Sequence, residues 1–171
     1  LGFSPPDAET LDIRSRGHLP HWTVDGATFF VTYRLADSLP KKVVDAYRDE
    51  RERILKNAEQ QKRELTASER KRLEELYSEK IEGYLDAGRG ACYMNNPEVA
   101  KIVAEGLRHF DAKRYDLIAW CVMPNHVHVL FRAYEGEDLE AILHSWKSYT
   151  ANQANKVLER KGEFWHREYY D

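Results

Sequence analysis

This chain of 171 residues has no excess of positive charge, only two cysteines and no long apolar run. Lysine and arginine total 26 against 29 acidic residues, which gives a formal net charge of −3. A typical nucleic-acid-binding domain is basic. The charge balance therefore argues against any binding that depends mainly on counterion release, although it leaves room for a local basic groove.

The scarcity of cysteine and of apolar runs narrows the class of protein further. Cys92 and Cys121 have no paired spacing, which excludes a cysteine zinc site and suits a reducing compartment. No apolar run could span a bilayer, and residues 1–6 lack the basic and apolar regions of a signal peptide. We therefore expect one cytoplasmic domain over residues 1–171 with no membrane partner, and Cys121 facing its core.

The most informative stretch is Trp120–Phe131, which contains two histidines after a Pro-Asn turn. In a strand, His126 and His128 share one face with Cα atoms about 6–7 Å apart, while Val127 points to the other. Two imidazoles this close can chelate one divalent ion, which can polarise a phosphate or a carbonyl. The spacing alone leaves open a plain pair of half-buried histidines on a sheet surface.

Hydrophobic periodicity predicts an α+β fold, for which we choose a ferredoxin-like antiparallel sheet with helices packed on one face. The predicted elements, in chain order, are a strand at 28–35, a charged helical hairpin within 41–90, a helix at 97–111, strands at 115–122 and 126–133, a helix at 138–160 and a last strand at 163–166. The hairpin reads as an insertion, with Thr66–Glu69 as a capping box between its helices. It is either a solvated charged arm or a contact surface for a partner or DNA.

The segment Ala119–Leu130 resembles the metal-binding motif of the HUH single-tyrosine transposases of bacterial insertion sequences. The branch that it resembles most is the REP-associated tyrosine transposases. Weaker similarities follow in the family's order, at 17–22, 27–35, 146–152 and 162–171. The resemblance therefore covers most of the chain except the charged segment from about 41 to 90.

This resemblance implies metal-dependent cleavage and rejoining of single-stranded or hairpin DNA, such as repetitive palindromic elements. A tyrosine hydroxyl would attack a phosphodiester and form a 5′-phosphotyrosine link, so no nucleotide cofactor is needed. His126 and His128 would hold Mg²⁺ or Mn²⁺ together with an oxygen or amide ligand. The oligomeric state stays open, a homodimer included.

The nucleophile is where the chain departs from the family pattern. In the family, the tyrosine and a third metal ligand lie on a helix after the segment that matches 162–171. We therefore expect the nucleophile beyond Asp171. Inside the chain, Tyr149 is the best candidate, with Gln153 one helical turn on as an amide ligand; Tyr169 and Tyr170 are weaker candidates. The alternative for Tyr149 is a position against the core or on the DNA-facing side of its helix.

Five residues are predicted to contact DNA, against a simple surface or core role for each: Asn125, Lys147, Lys156, Trp165 and Arg167. His18 and His21 frame a turn before the first strand. Two other functions remain open from the sequence. One is a DNA- or RNA-binding relic that kept the fold and lost cleavage. The other is a metal hydrolase, which the absence of carboxylates near the histidine motif disfavours.

Overall fold

The computed structural model describes residues 12–15, 20–23, 26–77, 81–167 and 169. Strands β1 (Asp12–Ser15) and β2 (Pro20–Thr23) form a two-stranded antiparallel sheet. The predictions for His18 and Tyr170 lie outside the described residues, and for His21 only the backbone is described.

The main sheet has three antiparallel strands, β3 (Thr28–Arg34), β4 (Tyr115–Val122) and β5 (His126–Ala133). Their order is β3-β5-β4, so the histidine strand is in the middle. All three strands are rich in β-branched and aromatic residues, which suit a pleated surface. Alternate residues of β5 (Val127, Val129 and Phe131) are fully buried in the core, which leaves the histidines on the opposite face.

Two helices cover the core face, α4 (Pro97–Arg108) and α5 (Leu139–Val157). The Asn96 side chain accepts a hydrogen bond from the Glu98 amide, and Asp138 caps α5 in the same way. Trp146 of α5 packs edge-on to Phe131, with ring centroids 5.0 Å apart. Its indole also donates to the Tyr115 hydroxyl at 2.7 Å, which ties the helix layer to β4.

The topology confirms the predicted α+β class, with an antiparallel sheet and helices on one face. In the order β3-β5-β4, the first and third of these strands are neighbours, as they are in a ferredoxin-like sheet. The predicted last strand at 163–166 is reduced to one antiparallel bridge between Leu35 and Trp165. That bridge lies at the end of β3, where a fourth strand of this fold would pair.

The charged segment folds as the predicted helical hairpin, α1 (Lys41–Gln60) and α2 (Ala67–Tyr77), followed by the short helix α3 (Gly83–Asp86). The Thr66 hydroxyl accepts from the Glu69 amide at 3.2 Å, and the Glu69 carboxylate accepts from the Thr66 amide at 2.9 Å. This is the predicted capping box. The segment has a small core of its own, formed by Leu39, Tyr47, Leu76, Ile81 and Leu85.

Three further details differ from the sequence predictions. Cys121 is exposed, because the alternation along β4 places it on the face opposite the core. Helix α4 ends at Arg108 rather than near Asp111, and α5 is shorter than 138–160. Among the described residues, no helix is long and apolar enough to cross a membrane.

Candidate metal centre

The two histidines of β5 lie side by side on the sheet face that the helices α4 and α5 leave uncovered. Across the ladder, His126 pairs with Arg34 and His128 pairs with Thr32. The Pro-Asn turn before β5 starts the strand at His126, so the period of two places both imidazoles on this face. His126 is buried and His128 is half-buried.

The two rings point the same nitrogen at each other. The Nε2 atoms of His126 and His128 are 3.0 Å apart, and the ring planes are nearly perpendicular at 85°. In an octahedron whose ligands lie about 2.1 Å from the centre, adjacent ligands are about 3.0 Å apart. The pair therefore fits two neighbouring positions around one small divalent cation.

Asn125 fixes the orientation of His126. Its amide nitrogen donates to the carbonyl of Arg89 at 2.9 Å, so its Oδ1 must face His126 Nδ1, 2.7 Å away. Because Oδ1 can only accept, Nδ1 of the neutral ring carries the proton and Nε2 has the free lone pair. Thr32 Oγ1 contacts His128 Nδ1 at 2.8 Å and holds that ring from the same side. These are the outer contacts that a metal-binding histidine ordinarily has.

Burial keeps both imidazoles neutral at physiological pH. Desolvation is the main cause that lowers the pKa of His126 to about 4, and the neighbouring His128 lowers it further. Desolvation also lowers the pKa of His128, against an opposing effect of Glu82 and Asp86. A neutral imidazole can bind a cation without first losing a proton. The site is thus ready for a metal at pH 7.

Within the described ranges, no group of three or more His, Cys, Asp and Glu side chains could hold a metal ion together. Among the described residues, the two histidines therefore have no third side chain of these four types beside them, and metal binding by the pair stays a prediction. The negative charge of Asp86, in α3, raises the pKa of both histidines, and that of Glu82, just before α3, raises the pKa of His128.

Sequence reasoning missed two residues of β3 that share this face. Arg34 is fully buried; its Nη1 lies 3.4 Å from the Ser38 hydroxyl, and its Nε and Nη2 have no hydrogen-bond partner among the described residues. Phe30 is 57% exposed and stacks on His128 with ring centroids 5.6 Å apart. The alternation of β3 could have identified both, because residues 30, 32 and 34 must face the same way.

Tyr149 and Gln153 do not join the histidines, so their predicted roles as nucleophile and metal ligand need correction. Both lie on α5, whose buried residues pack on the core face of the sheet. Tyr149 is half-exposed, with its ring near Gly106 of α4. The sheet stands between these side chains and the imidazoles, because one strand presents its core residues and its histidines to opposite sides.

The predicted DNA contacts separate into buried and exposed residues. Asn125 is buried and both ends of its amide are bonded; Trp165 is buried against Tyr33 and donates to the Thr150 hydroxyl at 2.9 Å. Neither side chain is available to DNA, which corrects those two predictions. Lys147 donates to the backbone carbonyls of residues 166 and 167. Lys156 and Arg167 are exposed, and their DNA contacts stay predictions.

A comparison with protein families agrees with the resemblance seen in the sequence. Residues 94–171 match the family model described as IS200-like transposase, which confirms the predicted resemblance to the single-tyrosine transposases. A solved structure of a REP-associated tyrosine transposase bound to a REP hairpin is similar at 12% identity and a TM-score of 0.42. That comparison covers 91% of this chain, which spans 60% of the solved chain. No curated protein matches the sequence.

Proposed function

We propose that this chain is a DNA-binding, transposase-like protein that takes part in metal-dependent cleavage and rejoining of single-stranded or hairpin DNA. The similarity of residues 94–171 to IS200-like transposases supports the class of reaction. The observation that carries the proposal is the pair of Nε2 atoms 3.0 Å apart on one sheet face. With bacterial DNA such as palindromic repeats as the substrate, the proposed place of action is the cytoplasm.

Four residues of this chain have different roles at the proposed metal site, two as ligands and two that orient the ligands. His126 and His128 would hold Mg²⁺ or Mn²⁺, and Asn125 and Thr32 keep their rings in place. A divalent cation bound there would draw charge from the scissile phosphate. The burial of His126 keeps it neutral and limits the water around it.

The proposed cleavage step exchanges one phosphodiester for another. The tyrosine hydroxyl gives up its proton and its oxygen bonds to phosphorus as the bond to the 3′ oxygen breaks, and the leaving oxygen takes up a proton to give a 3′-hydroxyl. The 5′-phosphotyrosine link keeps the bond energy, so rejoining needs no nucleotide. Tyr149, the best candidate inside the chain, lies on α5, which packs on the sheet face opposite the histidines. We therefore propose that the nucleophile lies outside the described residues.

Titration with Mn²⁺ tests the metal site directly. Calorimetry should show about one site per chain, lost in His126→Ala and in His128→Ala. The matched control is His144→Ala, because His144 is an exposed histidine on α5. If the double variant His126→Ala/His128→Ala bound Mn²⁺ as tightly as the wild-type chain does, the proposed metal site would be overturned.

A covalent-trapping experiment tests where the nucleophile lies, and the Mn²⁺ dependence of DNA binding separates an enzyme from a non-catalytic relic. The 171-residue chain should bind a hairpin with a single-stranded flank and form no adduct that survives boiling in detergent. An adduct abolished by Tyr149→Phe would show that the nucleophile lies on α5. The alternative, a non-catalytic DNA-binding relic of the same fold, is favoured by the net charge of −3. It predicts an affinity for DNA that Mn²⁺ does not change.

A further inference from the structure

The ring of Phe30 lies exposed beside the proposed metal centre, and packing of the core does not account for its presence there. Phe30 is one of three large apolar side chains exposed among the described residues, at 57%. Its neighbours Phe29 and Val31 point into the core, so burial of β3 does not depend on it. A phenylalanine held in water on a sheet surface loses the stabilisation that burial gives.

The contact of Phe30 with His128 gives its ring a defined orientation. The two rings are nearly parallel, at 14°, with centroids 5.6 Å apart. His128 is held in turn by Thr32 on its Nδ1 side and faces His126 with Nε2. The phenyl ring is therefore fixed to a metal ligand and still offers most of its surface to solvent.

The same face continues to a cation beyond Phe30. Phe30 pairs with Leu130, and Arg132 follows two residues later on the same side of β5. The guanidinium pairs with Asp116, and both side chains are substantially exposed. From His128 to Arg132 is about 13 Å along the strand, at about 3.3 Å per residue. Metal ligand, aromatic ring and cation thus follow one another along one line.

From this arrangement we propose that Phe30 stacks a nucleobase of single-stranded DNA next to the phosphate at the His126–His128 centre. Arg132 lies where the next part of the DNA backbone would pass. Aromatic rings beside a cation are how proteins hold single strands without reading their sequence. The proposal rests on the proposed function, and it assigns Phe30 a binding role that positions the strand rather than a part in bond breaking.

Binding of a fluorescent hairpin with a single-stranded flank, in the presence of Mn²⁺, tests this role. Phe30→Ala should weaken binding by roughly 10-fold or more, the usual effect of removing one stacking ring. Phe30→Trp should retain binding, and Phe30→Leu, which stays apolar, should lose it. His144→Ala is the control, since that ring is also exposed but lies on α5, on the helix side of the sheet. Mn²⁺ titration of each variant shows whether the metal site stays intact.

Replacing single flank nucleotides by abasic ones shows whether a base is the ligand. One abasic position should weaken binding to the wild-type chain and have no further effect in Phe30→Ala. Wild-type affinity in Phe30→Ala, or equal affinity of Phe30→Leu and Phe30→Trp, would overturn the proposal and leave the proposed function standing. Failure of the wild-type chain to bind the oligonucleotide at all would count against both.

Discussion

At the scale of single residues, Asn125 shows how one buried side chain determines the state of a candidate ligand. Its amide nitrogen is committed to the Arg89 carbonyl, so its oxygen must accept from His126. The bond to Arg89 spans 36 positions in sequence and joins the end of the charged segment to the histidine turn. The tautomer of His126 therefore depends on a contact that no local motif contains.

Asn125→Ala should weaken Mn²⁺ binding by about 10- to 100-fold, as removal of an outer-shell partner typically does. The reason is that the His126 ring loses the acceptor that keeps its proton on Nδ1. Asn152→Ala, which removes an exposed asparagine from α5, is the matched control. Calorimetry measures the affinity, and unchanged binding by a folded Asn125→Ala variant contradicts this account.

The lowered pKa of His126 also predicts a dependence of stability on pH. Between pH about 4 and 6.5, the unfolded chain binds a proton at this histidine that the folded chain does not. The free energy of unfolding should therefore fall as pH is lowered through this range. Urea denaturation in EDTA should show a shallower decline for His126→Gln than for the wild-type chain. In the control, His144→Gln, the decline should match that of the wild-type chain.

At the scale of elements, the end of the charged segment, where the chain rejoins the core, contains two glycines with left-handed backbone. Gly88 has φ +63° and Gly90 has φ +90°. A Cβ on Gly88 would meet nothing within 4 Å, whereas one on Gly90 would lie 2.8 Å from the carbonyl oxygen of Asp37. Beside it, the amide of Ala91 donates to the Asp37 carboxylate at 2.8 Å. A Cβ therefore has room at Gly88 but not at Gly90.

Alanine at these two positions should have clearly different costs. Gly88→Ala should lower the free energy of unfolding by about 1–2 kcal/mol, the cost of a left-handed conformation. Gly90→Ala adds a clash with backbone that cannot rotate away, so about 2–5 kcal/mol is expected. Chemical denaturation of the pair measures the difference. Equal effects would show that Asp37 moves aside freely.

At the scale of the whole molecule, the charged segment changes the electrostatics of the histidine face. Glu82 and Asp86 oppose the lowering of the pKa of His128, and Asp86 does the same for His126. Negative potential at both rings attracts a cation and repels DNA. In a chain with net charge −3, a divalent ion bound at the histidines would offset this repulsion and attract a phosphate to the histidine face.

Asp86→Asn should therefore weaken Mn²⁺ binding by about 2- to 10-fold at low ionic strength, in line with the modest worth of exposed charge interactions. The difference should shrink in high salt because screening shortens the reach of the charge. Asp45→Asn, a change on α1, is the control of equal charge. Titrations at two salt concentrations decide the matter, and stronger Mn²⁺ binding by Asp86→Asn would contradict this electrostatic role.

Short-range periodicity was enough to predict the features that each segment carries in its own residues. The period of two in 126–133 placed His126 and His128 on one face, and capping residues such as Thr66 and Asn96 marked helix starts to within a residue or two. These features follow from backbone geometry that each segment carries alone. The helical hairpin and the α+β class followed from the same patterns.

Tertiary structure alone decided which distant residues meet. It placed Tyr149 and Gln153 behind the sheet, buried Trp165 against Tyr33, and brought Phe30 onto His128 across the β3–β5 ladder. It also joined Asn125 to Arg89, and so set the proton on His126. Such contacts depend on strand order and on which face each element buries, and both are properties of the packed chain rather than of any one segment.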